Sequence, residues 1–267
     1  QVNIGSVDAT GMIANLNLAS VALKSGATVS LGTADTTTTV DGLDLVADEV
    51  KFTDAGGTDV LAATGIGVTN ETAIRINSSG IETFEFGIEE ETNAAETAMT
   101  IDMRDAVGVS TLELTVASDA NASDLGVRSE AVTVSNLAND SKLILTGGDT
   151  DGSTISATTT VDAAITGSTS VTLTNKSAAT LLTISDLDFG TTYKTVTIEQ
   201  EADKNITITD LAGTKITTLT VGGANSVSGT PIASATIDIP TASVEAATNL
   251  SIDSNGGPIK IGTTALA

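Results

Sequence analysis

Residues 193–221 read YKTVTIEQEADKNITITDLAGTKITTLTV and contain three runs in which threonine alternates with an aliphatic residue. The runs are residues 195–198, 206–209 and 218–221. A period of two places the aliphatic side chains on one face of an extended strand and the threonines on the other. Turn-forming residues, such as those at 203–205, separate the runs. This stretch therefore predicts short β-strands with one buried face and one hydroxylated face.

The same alternation recurs from about residue 111 onward. Its aliphatic pairs are Leu112/Leu114, Val132/Val134, Leu143/Leu145, Val171/Leu173, Leu182/Ile184, Ile237/Ile239, Leu250/Ile252 and Ile259/Ile261. Two all-β architectures fit such short, irregularly spaced strands: a parallel β-solenoid (β-helix) and antiparallel β-sandwich domains. Uniformly aliphatic core positions and short turns favour the solenoid. The best helical segment is 93–103, where Asn93 and Glu96 form a capping box without a sustained apolar stripe.

The chain divides by regularity near residue 105. Residues 1–105 form a less regular β region with several acidic clusters, including Glu89, Glu90 and Glu91. Residues 106–267 form the predicted solenoid. The first region is either a separate unit or the first coils of the same solenoid.

Composition argues against an enzyme. The chain has no His, Cys or Trp, whereas Thr occurs 47 times. The commonest general base, the thiol nucleophile and the softer metal ligands are therefore missing. Paired carboxylates could hydrolyse a polysaccharide, but four Phe and one Tyr provide few platforms for a sugar ring. We predict no enzymatic activity and no catalytic residues.

The net charge indicates which classes of partner the chain is expected to bind. Lys and Arg total 11 against 34 Asp and Glu, a formal net charge of −23. That field repels nucleic-acid phosphates and anionic membranes, so we expect neither nucleic acid nor membrane insertion. It attracts divalent cations, above all calcium, which prefers oxygen ligands. The alternative is that acidity only keeps the protein soluble.

Two segments carry a family resemblance. Residues 54–61 read DAGGTDVL, and residues 79–86 read SGIETFEF. Together they resemble the glycine-rich turns and following strands of type I-secreted bacterial surface-layer (S-layer) and RTX-type adhesin proteins. The resemblance implies an extracellular, self-assembling β-solenoid ordered by calcium. The chain departs from the RTX repeat, since residues 56–59 lack the third glycine and have no tandem copy, and GGDTDG at 147–152 is only a partial echo.

Three pairs of aspartates are the predicted metal ligands. In a turn, neighbouring carboxylates converge with backbone carbonyls on a calcium ion. The pairs are Asp54/Asp59, Asp149/Asp151 and Asp186/Asp188. The alternative is Asx-turn capping, in which each carboxylate accepts hydrogen bonds from nearby backbone N–H groups.

These observations predict an extracellular structural protein that assembles into a cell-surface layer or filament with calcium. Its expected partners are copies of itself, divalent cations and a surface glycan anchor. The first alternative is an adhesin, or a phage or cell appendage module, that binds a receptor or glycan. A polysaccharide-active enzyme is the second. Since the chain opens at Gln1, we expect a processed product or part of a longer protein.

Overall fold

The computed structural model describes residues 3–41, 45, 50–67, 73–89, 99–117, 132–138, 141–148, 158–162, 169–175, 181–189, 193–200, 205–222, 237–243, 246–253 and 259–264. These residues form an all-β structure of 23 strands in three sheets. Within the described ranges, no helix has the length and apolar character needed to cross a membrane.

Within each sheet, neighbouring strands pair in a fixed order. The five-stranded sheet contains β1 (Asn3–Ala9), β3 (Ala22–Leu31), β5 (Val50–Thr53), β8 (Asn77–Ser79) and β11 (Ala106–Val107). The ten-stranded sheet contains β2 (Leu16–Asn17), β4 (Thr37–Asp41), β6 (Val60–Gly67), β9 (Thr83–Glu89), β12 (Thr111–Ala117), β14 (Ser141–Gly148), β16 (Thr169–Asn175), β18 (Tyr193–Gln200), β20 (Thr218–Gly222) and β22 (Asn249–Asp253). The eight-stranded sheet contains β7 (Ala73–Arg75), β10 (Met99–Asp102), β13 (Val132–Ser135), β15 (Thr158–Asp162), β17 (Leu181–Asp188), β19 (Asn205–Ala212), β21 (Ile237–Ser243) and β23 (Ile259–Thr264).

Successive strands belong to different sheets. From β6 to β12 the chain passes in turn through the ten-, eight- and five-stranded sheets, and from β12 to β23 it alternates between the ten- and eight-stranded sheets. Parallel neighbours cannot be joined by a tight hairpin, which explains why partners are never consecutive in sequence. All strand pairs in the described part are parallel, so the antiparallel alternative is wrong.

The period-two reading of the second half is confirmed, because each predicted aliphatic pair lies within a strand between β12 and β23. The helical prediction is wrong at its C-terminal end, where Met99–Asp102 forms β10. Ile101 is fully buried and lies in register between Ile74 and Val134, and this burial outweighs a capping signal that no apolar stripe supports. Residues 93–98 lie outside the described residues.

One column of register partners runs through the ten-stranded sheet, and those of its members whose side chains are described are buried. Its members come from successive parallel strands and keep one register: Thr38, Leu61, Phe84, Leu112, Leu143, Leu173, Ile198, Val221 and Ile252. A shift of one residue would turn every side chain of a strand to the opposite face, so this column fixes the register.

The interior is not uniformly aliphatic, contrary to the sequence-based expectation. All four phenylalanines are buried: Phe52, Phe84, Phe86 and Phe189. The rings of Phe84 and Phe86 stack with centroids 5.6 Å apart. Three of the four lie between residues 50 and 89, where the chain enters all three sheets.

The division of the chain at residue 105 stays a prediction. Strands β9 and β12 lie on opposite sides of that residue and pair directly in the ten-stranded sheet. The five-stranded sheet ends at β11, at the same place in the sequence.

Candidate functional site

A polar column lies at the turns that lead into the ten-stranded sheet. Thr36, Asp59, Glu82 and Ser110 each immediately precede a strand of that sheet, and Ser141 is the first residue of β14. Backbone hydrogen bonds connect these positions, for example from the Glu82 N–H to the Asp59 carbonyl at 3.3 Å and from the Ser110 N–H to the Glu82 carbonyl at 2.9 Å. We call these five residues the polar column.

The polar column becomes aliphatic farther along the sheet. Ser141 is in register with Val171, and the same position then holds Val196, Leu219 and Leu250. The early strands therefore place polar groups where the later strands place methyl groups. Burying a polar group without a hydrogen bond is costly. Ser141 is buried and its Oγ has no partner among the described residues, whereas Ser110 is exposed.

Side-chain hydrogen bonds link successive turns of the polar column. Oδ1 of Asp59 accepts hydrogen bonds from the N–H of Thr36, at 2.9 Å, and from the Thr36 hydroxyl. Oε2 of Glu82 accepts from the Asp59 N–H at 2.8 Å. Beside them, Oδ1 of Asp35 accepts from the Thr58 N–H, also at 2.8 Å. All these bonds join residues 23 positions apart, so one turn geometry repeats at that interval.

Two carboxylate oxygens at these turns have no hydrogen-bond partner among the described residues. Asp59 is 0% exposed, and its Oδ2 atom is buried and unpaired. Oδ1 of Asp54 is also buried and unpaired, although its Oδ2 accepts from the Gly56 N–H at 2.6 Å. Each such atom carries a desolvation penalty of about 1–3 kcal/mol, and more when it is charged.

The acidic neighbours of Asp54 affect its pKa. Burial raises the pKa of Asp54, and the negative charges of Asp59 and Glu82 raise it further, against the opposing effect of hydrogen bonds from the Gly56 and Ala55 N–H groups. The structure thus brings the predicted pair Asp54/Asp59 together and adds Glu82. We call these three residues the carboxyl cluster.

Two glycines give the carboxyl cluster its close packing. Gly57 has φ +128°, and a Cβ there would lie 2.9 Å from Asp59 Oδ2 and 3.0 Å from the Ala34 carbonyl oxygen. Gly80 has φ +86°, and a Cβ there would lie 2.8 Å from the Asp54 carbonyl oxygen. Both residues belong to the glycine-containing segments singled out in the sequence, so the two segments meet around one set of carboxyl groups.

The other predicted ligands are placed differently. Asp186 and Asp188 lie on β17, where Asp186 is in register with Asp210 of β19 and Asp188 with Ala212. Oδ1 of Asp210 is buried without a hydrogen-bond partner. Asp149 and Asp151 fall outside the described residues.

Metal binding by these aspartates stays a prediction. Across the ranges that the structure describes, no group of three or more Asp or Glu residues is arranged to hold a metal ion. The carboxyl cluster brings negative charges near one another without forming a chelating set.

Two further acids, Asp102 at the end of β10 and Asp105 in the turn that follows, each form an ion pair with an arginine. Arg104 contacts the Asp102 carboxylate at 2.7 Å, and Asn136 Nδ2 donates to Asp102 Oδ1 at 2.7 Å. Burial alone would raise the pKa of Asp102, but the hydrogen bonds from Asn136 and Arg104 and the charge of Arg104 hold it below its usual value. Arg75 forms an ion pair with Asp105 at 2.6 Å. These acids are neutralised in place, unlike those of the carboxyl cluster.

The sequence pattern did not identify Thr36, Glu82 and Asp210 as members of polar sites. The interval of 23 residues from Thr36 to Asp59, and from Asp59 to Glu82, was the signal available for the first two. Comparisons of the chain with protein-family models, curated proteins and solved structures found no match.

Proposed function

We propose that the chain is an extracellular structural protein, a parallel β-solenoid whose copies assemble into a layer or filament on the cell surface. The observation that carries the proposal is the ten-stranded sheet, in which one column of register partners continues through successive parallel strands. The function is architectural, because parallel strands stacked in register form a repetitive body.

The connectivity supports the solenoid. Successive strands belong to different sheets, and each strand pairs in parallel only within its own sheet. A chain with this connectivity is expected to wind around a shared interior. Each revolution would add one strand to the ten-stranded sheet, with neighbours about 4.8 Å apart. Ten such strands give a body roughly 45 Å long in that direction.

The edge strand β22 supports association between copies. Leu250 is 39% exposed, whereas its register partner on β20, Leu219, is 0% exposed. An edge strand also presents backbone N–H and C=O groups that can pair with another strand. The two edges of a parallel sheet differ, so a contact between them is head-to-tail and produces an open chain of copies.

Calcium is the expected assembly partner. Copies that each carry a formal net charge of −23 repel one another unless cations screen or bridge their acids. Because the described acids form no chelating group of three, we place the calcium effect between copies and at pairs of acids. The aspartates predicted from sequence, including Asp186 and Asp188, remain its proposed ligands.

Negative-stain microscopy and sedimentation of the purified chain test this proposal. We expect filaments or sheets in calcium, and fewer or shorter ones after chelation at matched ionic strength. Assembly that ignores chelation would contradict the calcium part, and a monodisperse monomer under every condition would contradict self-assembly. Magnesium at the same concentration is the control for general screening of charge.

A second function, binding of a glycan by an adhesin or appendage module, is favoured by one surface. Strands β18, β20 and β22 carry two adjacent rows of hydroxyl and amide residues in register, on the face opposite the buried Val196, Ile198, Leu219 and Val221. The rows are Thr195, Thr218 and Asn249, and Thr197, Thr220 and Ser251. Such rows can donate and accept hydrogen bonds toward sugar hydroxyls. Binding to immobilised glycans, lost after replacing Thr197 and Thr220 with Val, would favour this function over assembly alone.

A further inference from the structure

In the described part of the chain, the ten-stranded sheet is the one that has an edge strand at each end of the fold. Its first strand is β2 and its last is β22. The five-stranded sheet ends at β11 and the eight-stranded sheet begins at β7, both in the middle of the strand order. A contact that joins the two ends of different copies is therefore expected to run through the ten-stranded sheet.

Apolar side chains that are only partly buried are found at the same two ends. Two of the large exposed hydrophobic residues are Ile13, at 88%, and Leu250, at 39%. Terminal repeats of a soluble solenoid normally carry a polar outer face, so these apolar ends do not resemble caps. Among the described residues, the hydrophobic side chains that pack against the core and stay partly exposed are Val7, Met12, Leu16, Val21 and Leu23 near one end, and Ala247 and Ile261 near the other.

The column of register partners in the ten-stranded sheet has an aliphatic residue at each end. Leu16 is its member on β2, and Ile252 is its member on β22. The Asn15 side chain accepts a hydrogen bond from the Thr37 N–H at 3.0 Å, which holds the residue before β2 beside β4. One further step of the same register would bring Leu16 of a second copy beside Ile252 of the first.

We infer that copies join end to end at a seam in which β2 of one copy pairs with β22 of another and extends the ten-stranded sheet in parallel. The inference rests on the proposed self-assembly and names its partner surface. The two edge strands supply backbone N–H and C=O groups for this pairing. Ile13 lies in the turn before β2, where it can cover Leu250 of the neighbouring copy.

Continued register pairs residues of similar polarity across the seam. Apolar positions meet apolar positions, polar positions meet polar positions, and no pair brings two acids together. This favours the seam in a chain whose formal net charge is −23, because like charges placed opposite each other disfavour an interface. The pairs are Ala14 with Leu250, Asn15 with Ser251, Leu16 with Ile252, and Asn17 with Asp253.

The area of the seam sets the expected strength of the contact. Strands β19 and β20 contain eight and five residues, which corresponds to lengths of roughly 17–26 Å. With two sheets about 10 Å apart and their outer side chains, each end presents a face of roughly 500 Å², or about 1,000 Å² for the pair. That total lies at the lower limit for a specific interface, so assembly through single seams should depend strongly on protein concentration.

Sedimentation equilibrium tests the seam with three substitutions of equal charge. Ile13→Asp and Leu250→Asp each place a charge in the seam. Val107→Asp is the matched control, because Val107 is 65% exposed but lies on β11 of the five-stranded sheet. In calcium at constant ionic strength, we expect the association constant of both seam variants to fall by at least about tenfold and that of the control to stay close to the wild type. Circular dichroism melting verifies that each variant is folded.

Cross-linking between copies provides a second measurement that leaves the apolar residues unchanged. Copies carrying Asn15→Cys are mixed with copies carrying Ser251→Cys, two exposed positions in a chain without natural Cys. The control mixture contains Lys194→Cys, an exposed position on β18, in place of Ser251→Cys. Under mild oxidation we expect disulfide-linked pairs in the first mixture and several-fold fewer in the control mixture.

The possible outcomes distinguish the seam from self-assembly in general. A wild-type chain that stays monomeric at every concentration contradicts both. If the chain self-associates but neither Ile13→Asp nor Leu250→Asp weakens the association, and cross-links are as frequent in the control mixture, the seam is overturned while self-assembly stands. Cross-links that form mainly between two Asn15→Cys copies would show that like ends meet, and would also overturn the seam.

Discussion

Thr36 and Asp59 are separated by 23 residues, yet both the N–H and the hydroxyl of Thr36 donate to Oδ1 of Asp59. The bond joins the turns before β4 and β6, neighbouring strands of the ten-stranded sheet. It ties one passage of the chain to the next through a carboxyl group that is shielded from water. The polar column therefore stabilises the stacking of strands as well as the individual turns.

Replacing Thr36 with Val should destabilise the protein. Valine has a similar shape but lacks the hydroxyl that donates to Asp59, and loss of a hydrogen bond to a buried carboxyl group costs about 1–3 kcal/mol. The control is Thr37→Val on the opposite face of the strand. Urea unfolding should show a lower midpoint for Thr36→Val only. Equal midpoints would mean that the Thr36 hydroxyl contributes no net stability.

Replacing Phe84 with Ala should be among the most damaging core substitutions. Phe84 is fully buried, stacks on Phe86 and lies in register between Leu61 and Leu112. Truncating a buried phenylalanine to alanine costs about 3–5 kcal/mol. Glu85→Ala, on the exposed face of the same strand, is the control and should shift the unfolding free energy by less than about 0.5 kcal/mol. Similar losses in both variants would contradict the register of β9.

Replacing Gly57 with Ala tests the packing around Asp59. The positive φ of Gly57 strains an L-residue, and the added Cβ would lie 2.9 Å from Asp59 Oδ2. We expect a loss of about 1–3 kcal/mol in the unfolding free energy. Gly56→Ala provides the strain alone, because φ there is +143° and no atom lies within 4 Å of the new Cβ. If Gly56→Ala is as destabilising as Gly57→Ala, the contact with Asp59 contributes nothing.

Lowering the pH should reduce the free energy of unfolding, because Asp102 becomes protonated. The pKa of this group is held below 3.8 by its hydrogen bonds with Asn136 and Arg104, so its stabilising contribution is present above that pH and is lost as pH falls through the lowered value. In Asp102→Asn, stability at neutral pH should fall, and the decline at acidic pH should be shallower than in the wild type. Acid titration of the circular dichroism signal measures this. If the substitution leaves the loss of stability at acidic pH unchanged, Asp102 is not a source of the protein's acid sensitivity.

Local periodicity made the strands of the second half predictable. Pairs such as Leu112/Leu114 and Val196/Ile198 alternate strictly with polar residues, and each lies in a strand. Sheet membership did not follow from that pattern, because the partner of Val196 is chosen by the winding of the chain and lies 23 residues away at Leu219. The burial of all four phenylalanines was likewise unforeseen, because the two-residue period says which face a side chain occupies and not how large a side chain the interior accepts.

The candidate site was only partly predictable. The turn chemistry of residues 54–59 identified Asp54 and Asp59, but binary patterning assigns acids to solvent and so gives no hint that Asp59 is buried. Thr36 and Glu82 come from other turns, and only the interval of 23 residues connects them. Asp210 was missed for a similar reason, because its register with Asp186 is a property of the parallel sheet.

Engineered disulfides test the parallel, in-register stacking most directly, since the natural chain contains no Cys. Thr197 and Thr220 are register partners on β18 and β20, and neighbouring strands about 4.8 Å apart fall within the range that a disulfide spans. We expect the pair Thr197→Cys and Thr220→Cys to cross-link readily under mild oxidation. The offset pair Thr197→Cys and Thr218→Cys, roughly 8 Å apart on the diagonal, should remain reduced. Efficient cross-linking of the offset pair, with none in the register pair, would contradict the stacking.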